Sequence, residues 1–156
     1  MRYAKVVPDI PTRAIDGCFD YAIPDALAGS CDVGCMVLVS FAHRLAVGYV
    51  VDVVSELAEG VNPLRVLPVE RVLAEPAFDR VGARLAQWMA AEYAAPASVC
   101  LRLMLAPGQT TRVHKDEAGE WRLAVDRTKA VDDRWAQLSV TGRGFVPRRN
   151  ASRQHR

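Results

Sequence analysis

In the first half of the chain, apolar residues recur at every second position and are cut into short runs by proline and glycine. Residues 3–7 form one such run, stopped by Pro8, and residues 9–17 read as a loop containing Pro11. A second run, Phe19–Ile23, ends at Pro24-Asp25, and residues 26–32 are turn-like. Gly34 then opens residues 35–41, where Val37, Val39 and Phe41 alternate with Met36, Leu38 and Ser40. Period-two alternation puts these sets on opposite faces of a strand. Both sets are largely apolar, so this strand is expected to be covered on both sides. After Ala42-His43-Arg44, residues 45–54 form another strand, with Gly48 at an expected bulge or close backbone approach. Short β-branched strands at this spacing predict a small barrel.

The period changes further on. Residues 55–63 are a polar loop, and residues 64–73 are extended but broken by Pro68. From Glu75-Pro76, the positions Phe78, Val81, Leu85, Trp88, Met89 and Tyr93 recur at helical steps. That spacing predicts a helix with these residues, Trp88 included, facing the core. Pro96 ends it, Ser98 is positioned to cap a second helix over residues 99–105, and Pro107-Gly108 closes that one. Residues 109–119 are polar, residues 121–125 and 135–140 read as two strands, and Phe145 onward reads as the start of a helix.

Composition narrows the class of molecule. The chain has 156 residues, 51% of them hydrophobic and 24% charged, as expected of one folded domain and a shorter segment. A net charge of +2 does not itself argue for nucleic-acid binding. Arg143, Arg148, Arg149, Arg153 and Arg156 crowd the tail without an acid among them, reading as a solvated run or a nucleic-acid contact. Cys31 and Cys35 lack a second pair or a nearby histidine, so no zinc site is expected. No signal-peptide pattern and no bilayer-length apolar stretch occurs, which makes the reducing cytoplasm the expected compartment and a membrane partner unexpected.

Catalytic signatures are missing. The sequence contains no Gly-x-x-x-x-Gly-Lys-Ser/Thr, His-Glu-x-x-His or Gly-x-Ser-x-Gly. His43, His114 and His155 fall in loops or tail, and the acids are scattered. The chain alone is therefore expected not to be an enzyme, with no catalytic or metal residues. The stretch with chemical promise is Phe19-Asp20-Tyr21, a carboxylate between two aromatic rings. In a regular strand the rings share one face and Asp20 takes the other; at a strand start all three line one pocket.

Taken in order, several segments resemble the primosomal protein N′ (PriA) family of replication-restart DNA helicases. They are Val6-Val7-Pro8-Asp9-Ile10-Pro11, Phe19-Asp20-Tyr21-Ala22-Ile23-Pro24 and Gly34-Cys35-Met36-Val37-Leu38-Val39-Ser40-Phe41. The likeness continues through Val47-Gly48-Tyr49-Val50-Val51, Val72-Leu73-Ala74-Glu75-Pro76, residues 85–93 and Leu105-Ala106-Pro107-Gly108. It implies an α+β architecture: a small β-barrel-like N-terminal domain with two C-terminal helices over residues 1–108. Residues 109–156 would then be a linker and the start of a winged-helix-type domain, incomplete here.

The family's N-terminal domain captures the 3′ end of a DNA strand at a stalled or branched fork. The resemblance thus implies a 3′-end site of Phe19, Asp20, Tyr21, Ala42 and Arg65. Two positions depart from the family pattern. Its Pro-Phe-Gly reads Ser40-Phe41-Ala42 here, and a methyl at Ala42 would narrow a close approach and resist φ > 0. Its pocket lysine corresponds to Arg65, which also serves for a phosphate. Single-stranded or forked DNA with a free 3′ end is the implied partner, together with other primosome proteins and single-stranded-DNA-binding protein. ATP, magnesium and zinc are implied only for a full-length relative, not for these residues. The alternative reading is a protein-interaction β-barrel without DNA binding.

Overall fold

The computed structural model describes residues 1–124 apart from 13, 16, 107, 108 and 110. Five strands form one antiparallel sheet: β1 (Arg2–Pro8), β2 (Phe19–Ile23), β3 (Met36–Phe41), β4 (Arg44–Val54) and β5 (Val69–Ala74), in the order β2-β1-β4-β3-β5. Two helices follow, α1 (Arg80–Glu92) and α2 (Ala97–Arg102), and then a hairpin of β6 (Val113–Lys115) and β7 (Trp121–Leu123). The architecture is α+β. The sheet curls until its outer strands approach, and the Ala22 N–H donates to the Leu67 carbonyl at 2.9 Å beside a parallel bridge from Ala22 to Pro68.

Each strand's alternation sorts its side chains into two cores. Ala4, Val6, Tyr21, Ile23, Val37, Val39, Val50 and Val69, drawn from all five strands, pack inside the curl with Cys31 and Cys35. Val7, Met36, Tyr49 and Val51 face outward and meet Phe78, Ala83, Ala86, Cys100 and Leu101 of the helical layer. β3 is thus covered on both sides, as its doubly apolar pattern predicts. Gly48 is a close approach: a Cβ there would lie 2.4 Å from Val6 Cγ1, next to the register shift between Lys5 and Val6. Gly34 is another. Its φ is +91°, its carbonyl accepts the Ala77 N–H at 3.0 Å, and a Cβ would fall 1.8 Å from the Phe78 carbonyl oxygen.

Several expectations need correction. The first helix starts at Arg80, not at Glu75-Pro76, because the Asp79 side chain accepts the Gly82 N–H at 2.8 Å and caps it there. Its buried positions are Ala83 and Ala86, whereas Val81, Leu85 and Trp88 are exposed, Trp88 at 55%. Alanines let the helix axis come close to a sheet face already filled by Tyr49 and Val51, which turns the bulky apolar positions outward. The Trp88 indole packs edge-on against Tyr93 at 6.2 Å instead of entering the core. Ser98 does not cap α2; its hydroxyl donates to the Ile10 carbonyl at 2.9 Å and ties the helix to the loop after β1. The polar stretch after residue 109 contains β6, which pairs with β7 through a turn organised by the Asp116 carboxylate. The expected strand over residues 135–140, the arginine-rich tail and the winged-helix-type segment lie outside the described residues.

Candidate nucleic-acid interface

β2 is an edge strand, and its alternation separates the aromatic rings from the carboxylate. Tyr21 points into the curl, is 4% exposed, and donates its hydroxyl to the Ser40 carbonyl at 3.0 Å. Burial pushes its phenol above the ordinary range. Phe19 lies at the rim, 37% exposed, with its ring edge-on to Phe41 at 5.0 Å. Both rings therefore stand against the end of β3. The two-residue turn that follows, Ala42-His43, has φ values of 47° and 62°. Two consecutive non-glycine residues in the left-handed region cost on the order of 1 kcal/mol each. Ala42 thus adopts the conformation that its methyl was expected to resist, held by the Phe41–Arg44 pairing of the flanking strands.

Asp20 takes the opposite face. It stands directly across from Lys5 on β1, and the Lys5 ammonium donates to Asp20 Oδ1 at 3.0 Å. Asp20 Oδ2 accepts no hydrogen bond among the described residues, and the side chain is 16% exposed. The hydrogen bond to Asp20 raises the Lys5 ammonium above its ordinary range, against the opposing effect of burial. Lys5 also lies across from Asp52 on β4, and Asp52 in turn holds Arg80 at 3.0 Å. A row of alternating charge, Asp20-Lys5-Asp52-Arg80, thus runs from the sheet edge to the start of α1. Because the Ala22 N–H points away from β1, the backbone groups of Asp20, two residues earlier, face the same open edge.

Arg65 ends the short 3₁₀ turn Pro63–Arg65, whose start is capped by the Asn62 side chain accepting from the Leu64 N–H at 3.0 Å. It is exposed and, among the described residues, its guanidinium has no hydrogen bond or ion pair. It precedes by two residues the Leu67 carbonyl that meets Ala22, which places it in the chain beside the seam between β2 and β5. The structure therefore gathers Phe19 and Tyr21 at the Ala42 turn, and sets Asp20 across the strand with Lys5.

Two features were not singled out in the sequence. Lys5 is a charge set among the apolar residues Ala4, Val6 and Val7 of β1, and that break in the pattern is the signal that would have found it. The other is the anchor behind the 9–18 loop. Arg102 clasps Asp9 through two hydrogen bonds of 2.7 and 2.9 Å, and the Tyr49 hydroxyl donates to the same carboxylate at 3.1 Å. Asp9 is 6% exposed, burial and Asp9 drive the Tyr49 phenol well upward, and the Asp9 hydrogen bond does the same for Arg102. This cluster fixes the end of β1 from which the loop runs to Phe19.

Among the described residues no three His, Cys, Asp or Glu side chains gather as a metal-binding group, and no helix is long and apolar enough to cross a membrane. All four cysteines are free thiols.

Residues 5–106 match the 3′ DNA-binding domain (3′BD) family of PriA. The chain is 43% identical over 53 residues to the replication restart protein PriA of Bacillus subtilis, covering 34% of the chain and 7% of that protein. It is 29% identical over 110 residues to the replication restart protein PriA of Synechocystis, covering 70% of the chain and 13% of that protein. These matches therefore span only a small part of either relative's length.

Proposed function

The chain belongs to the PriA 3′ DNA-binding domain family, and from that premise we propose that it recognises the free 3′-hydroxyl end of a DNA strand at a stalled or branched replication fork. The observation that carries this reading is the open edge of β2. There an exposed Phe19 ring, backed by Phe41, lies on one side of the strand, and on the other side the Asp20 carboxylate has one oxygen held by Lys5 and a second that accepts no hydrogen bond among the described residues. An aromatic face stacks a terminal base of any identity, contributing about 1–3 kcal/mol. An ionised carboxylate only accepts hydrogen bonds, so Asp20 Oδ2 suits a sugar hydroxyl and repels a terminal phosphate. An internal nucleotide has no such hydroxyl to offer. Tyr21 supports the Phe19 wall from within, the Ala42 turn borders it, and Arg65 supplies a cation for a phosphate near the seam.

In this reading the 3′-end domain occupies residues 1–108, its curled sheet acting as a small barrel, and residues 109–156 lead into a winged-helix-type domain. Motor activity with ATP, magnesium and zinc belongs to the longer relatives' remaining length. Contacts with other primosome proteins and with single-stranded-DNA-binding protein, in the cytoplasm, belong to the same proposal. The test is fluorescence anisotropy of the chain with two oligonucleotides that differ only in a 3′-hydroxyl or a 3′-phosphate. Tighter binding of the hydroxyl form is expected, and Asp20→Asn should abolish the preference. Equal binding of the two by the unaltered chain, or a preference that survives the substitution, would sink it.

A second reading, a protein-interaction domain without DNA binding, is favoured by the exposed apolar stripe of Val81, Leu85 and Trp88 on α1. Failure to bind either oligonucleotide would support it.

A further inference from the structure

We infer that the cleft between β1 and α1 carries the phosphodiester backbone of the strand whose 3′ end the β2 edge holds, an inference that rests on the end-recognition reading. The cleft has a volume of about 250 Å³ and is lined by Lys5, Val51, Asp52, Arg80, Arg84 and Gln87. Its cations come from two separate elements. Lys5 is on β1, while Arg80 and Arg84 are one turn apart on α1, with Gln87 on the same helical face. Four residues of helix separate the two arginines by about 6 Å along the axis, the scale of neighbouring phosphates on a strand.

Continuity with the end site is provided by a single side chain. The Lys5 ammonium bonds Asp20 at 3.0 Å and also forms a wall of the cleft. A strand with its terminal hydroxyl on Asp20 would therefore meet Lys5 at its nearest phosphate and the α1 arginines beyond. The charge inventory fits an anion. Arg80 is neutralised in part by Asp52 at 3.0 Å, whereas Arg84 has no ion pair among the described residues. In the first turn of α1, Arg80 sits against the helix dipole and is offset by Asp52 and by the Asp79 cap, whereas Arg84 lies beyond that turn, and a visiting anion supplies the counter-charge it lacks among the described residues. Trp88, one turn beyond Arg84, adds an exposed indole beside this row. Cations with a flanking aromatic face are the means by which single-strand grooves hold a backbone and stack its bases.

The substitution Arg84→Gln tests this, since it removes a charge that has no ion pair among the described residues from an exposed helical position. Binding of a fluorescein-labelled single-stranded decamer by the full chain would be titrated at several salt concentrations, with a 3′-hydroxyl and with a 3′-phosphate. The expected result is a threefold to tenfold loss of affinity for both decamers, with the hydroxyl preference intact. The slope of log K against log salt should become shallower by about 0.7 for each phosphate that the variant no longer neutralises. Arg84→Glu should give a larger loss. Unchanged affinity and slope in both variants would overturn the cleft assignment even where the unaltered chain prefers the hydroxyl end. Loss of affinity in a chain that shows no end preference would keep the cleft and remove the end site. No binding of either decamer by the unaltered chain would overturn both.

Discussion

Inside the curl, five valines and Tyr21 fill a space enclosed by all five strands; outside it, α1 lies on the sheet through Ala83 and Ala86. The inner side chains are β-branched, stiff at χ1, and suited to a pleated wall. The outer contact depends on small side chains, on Gly34 against Phe78, and on the Asp9–Arg102 clasp. One layer is closed by shape within the sheet. The other is closed by approach, and its bulky residues and cations face out, where they are available to a ligand. The inner layer therefore serves as the scaffold, and the outer layer displays the Lys5 and Arg84 cleft.

The severest way to break this contrast is to block the approach. Gly34→Ala would push a methyl into the Phe78 carbonyl at a position whose φ is +91°. It is expected to lower stability by roughly 3 kcal/mol or more, read as a drop in the urea midpoint. A loss under about 1 kcal/mol would mean that the helical layer does not depend on this contact.

The inner layer can be probed by alkali. Burial, more than any neighbouring charge, pushes the Cys31 thiol up to about 11. The unfolded thiol titrates near 9.0, so the unfolded state loses its proton first as pH rises. The stabilising contribution of the neutral buried thiol is full below that value and is lost between about pH 9 and 11. An alkaline loss of about 1–2 kcal/mol is expected, and Cys31→Ala should flatten the profile by that amount. An identical profile in the variant would show that the inner core does not hold the thiol neutral.

The smallest effect is also the sharpest separator of the two layers. Trp88→Ala should change stability by no more than about 0.5 kcal/mol, the scale of a surface substitution. A core tryptophan would lose about 3–5 kcal/mol, so chemical denaturation tells the two positions apart.

That last case shows why only part of the molecule was legible. The first four strands were readable because alternation and proline punctuation are local, and β3 even disclosed its two-sided burial; the fifth was expected over residues 64–73, whereas Pro63–Arg65 form a 3₁₀ turn and β5 runs Val69–Ala74. The face of α1 was misread because Val81, Leu85 and Trp88 form an apolar stripe at helical spacing, while the sheet it meets demanded small residues. Hydrophobicity is written in the sequence; the distance between two surfaces is not. In the candidate site, Phe19, Asp20 and Tyr21 stand out in the sequence as a carboxylate between two rings, and the family resemblance adds the role proposed for them. The Lys5–Asp20 pair was not found, because fifteen residues separate the partners and only the β1–β2 register brings them together. The left-handed turn at Ala42-His43 escaped for a different reason: neither residue favours it, and the strands on either side impose it.

The seam at Ala22 and Pro68 bears on how the chain acquires its shape. β3 and β4 are joined by two residues and form on the microsecond scale of an isolated hairpin, about 1–10 μs. β1 must wait for β4, and the β2 seam must wait for residues near 68, so closure comes late and at greater loop entropy. During synthesis the β2 edge stays unpaired at Ala22 until that segment has left the ribosome. A nascent chain arrested before residue 68 would thus present a bare strand edge, the form of the molecule most prone to pair with a neighbour.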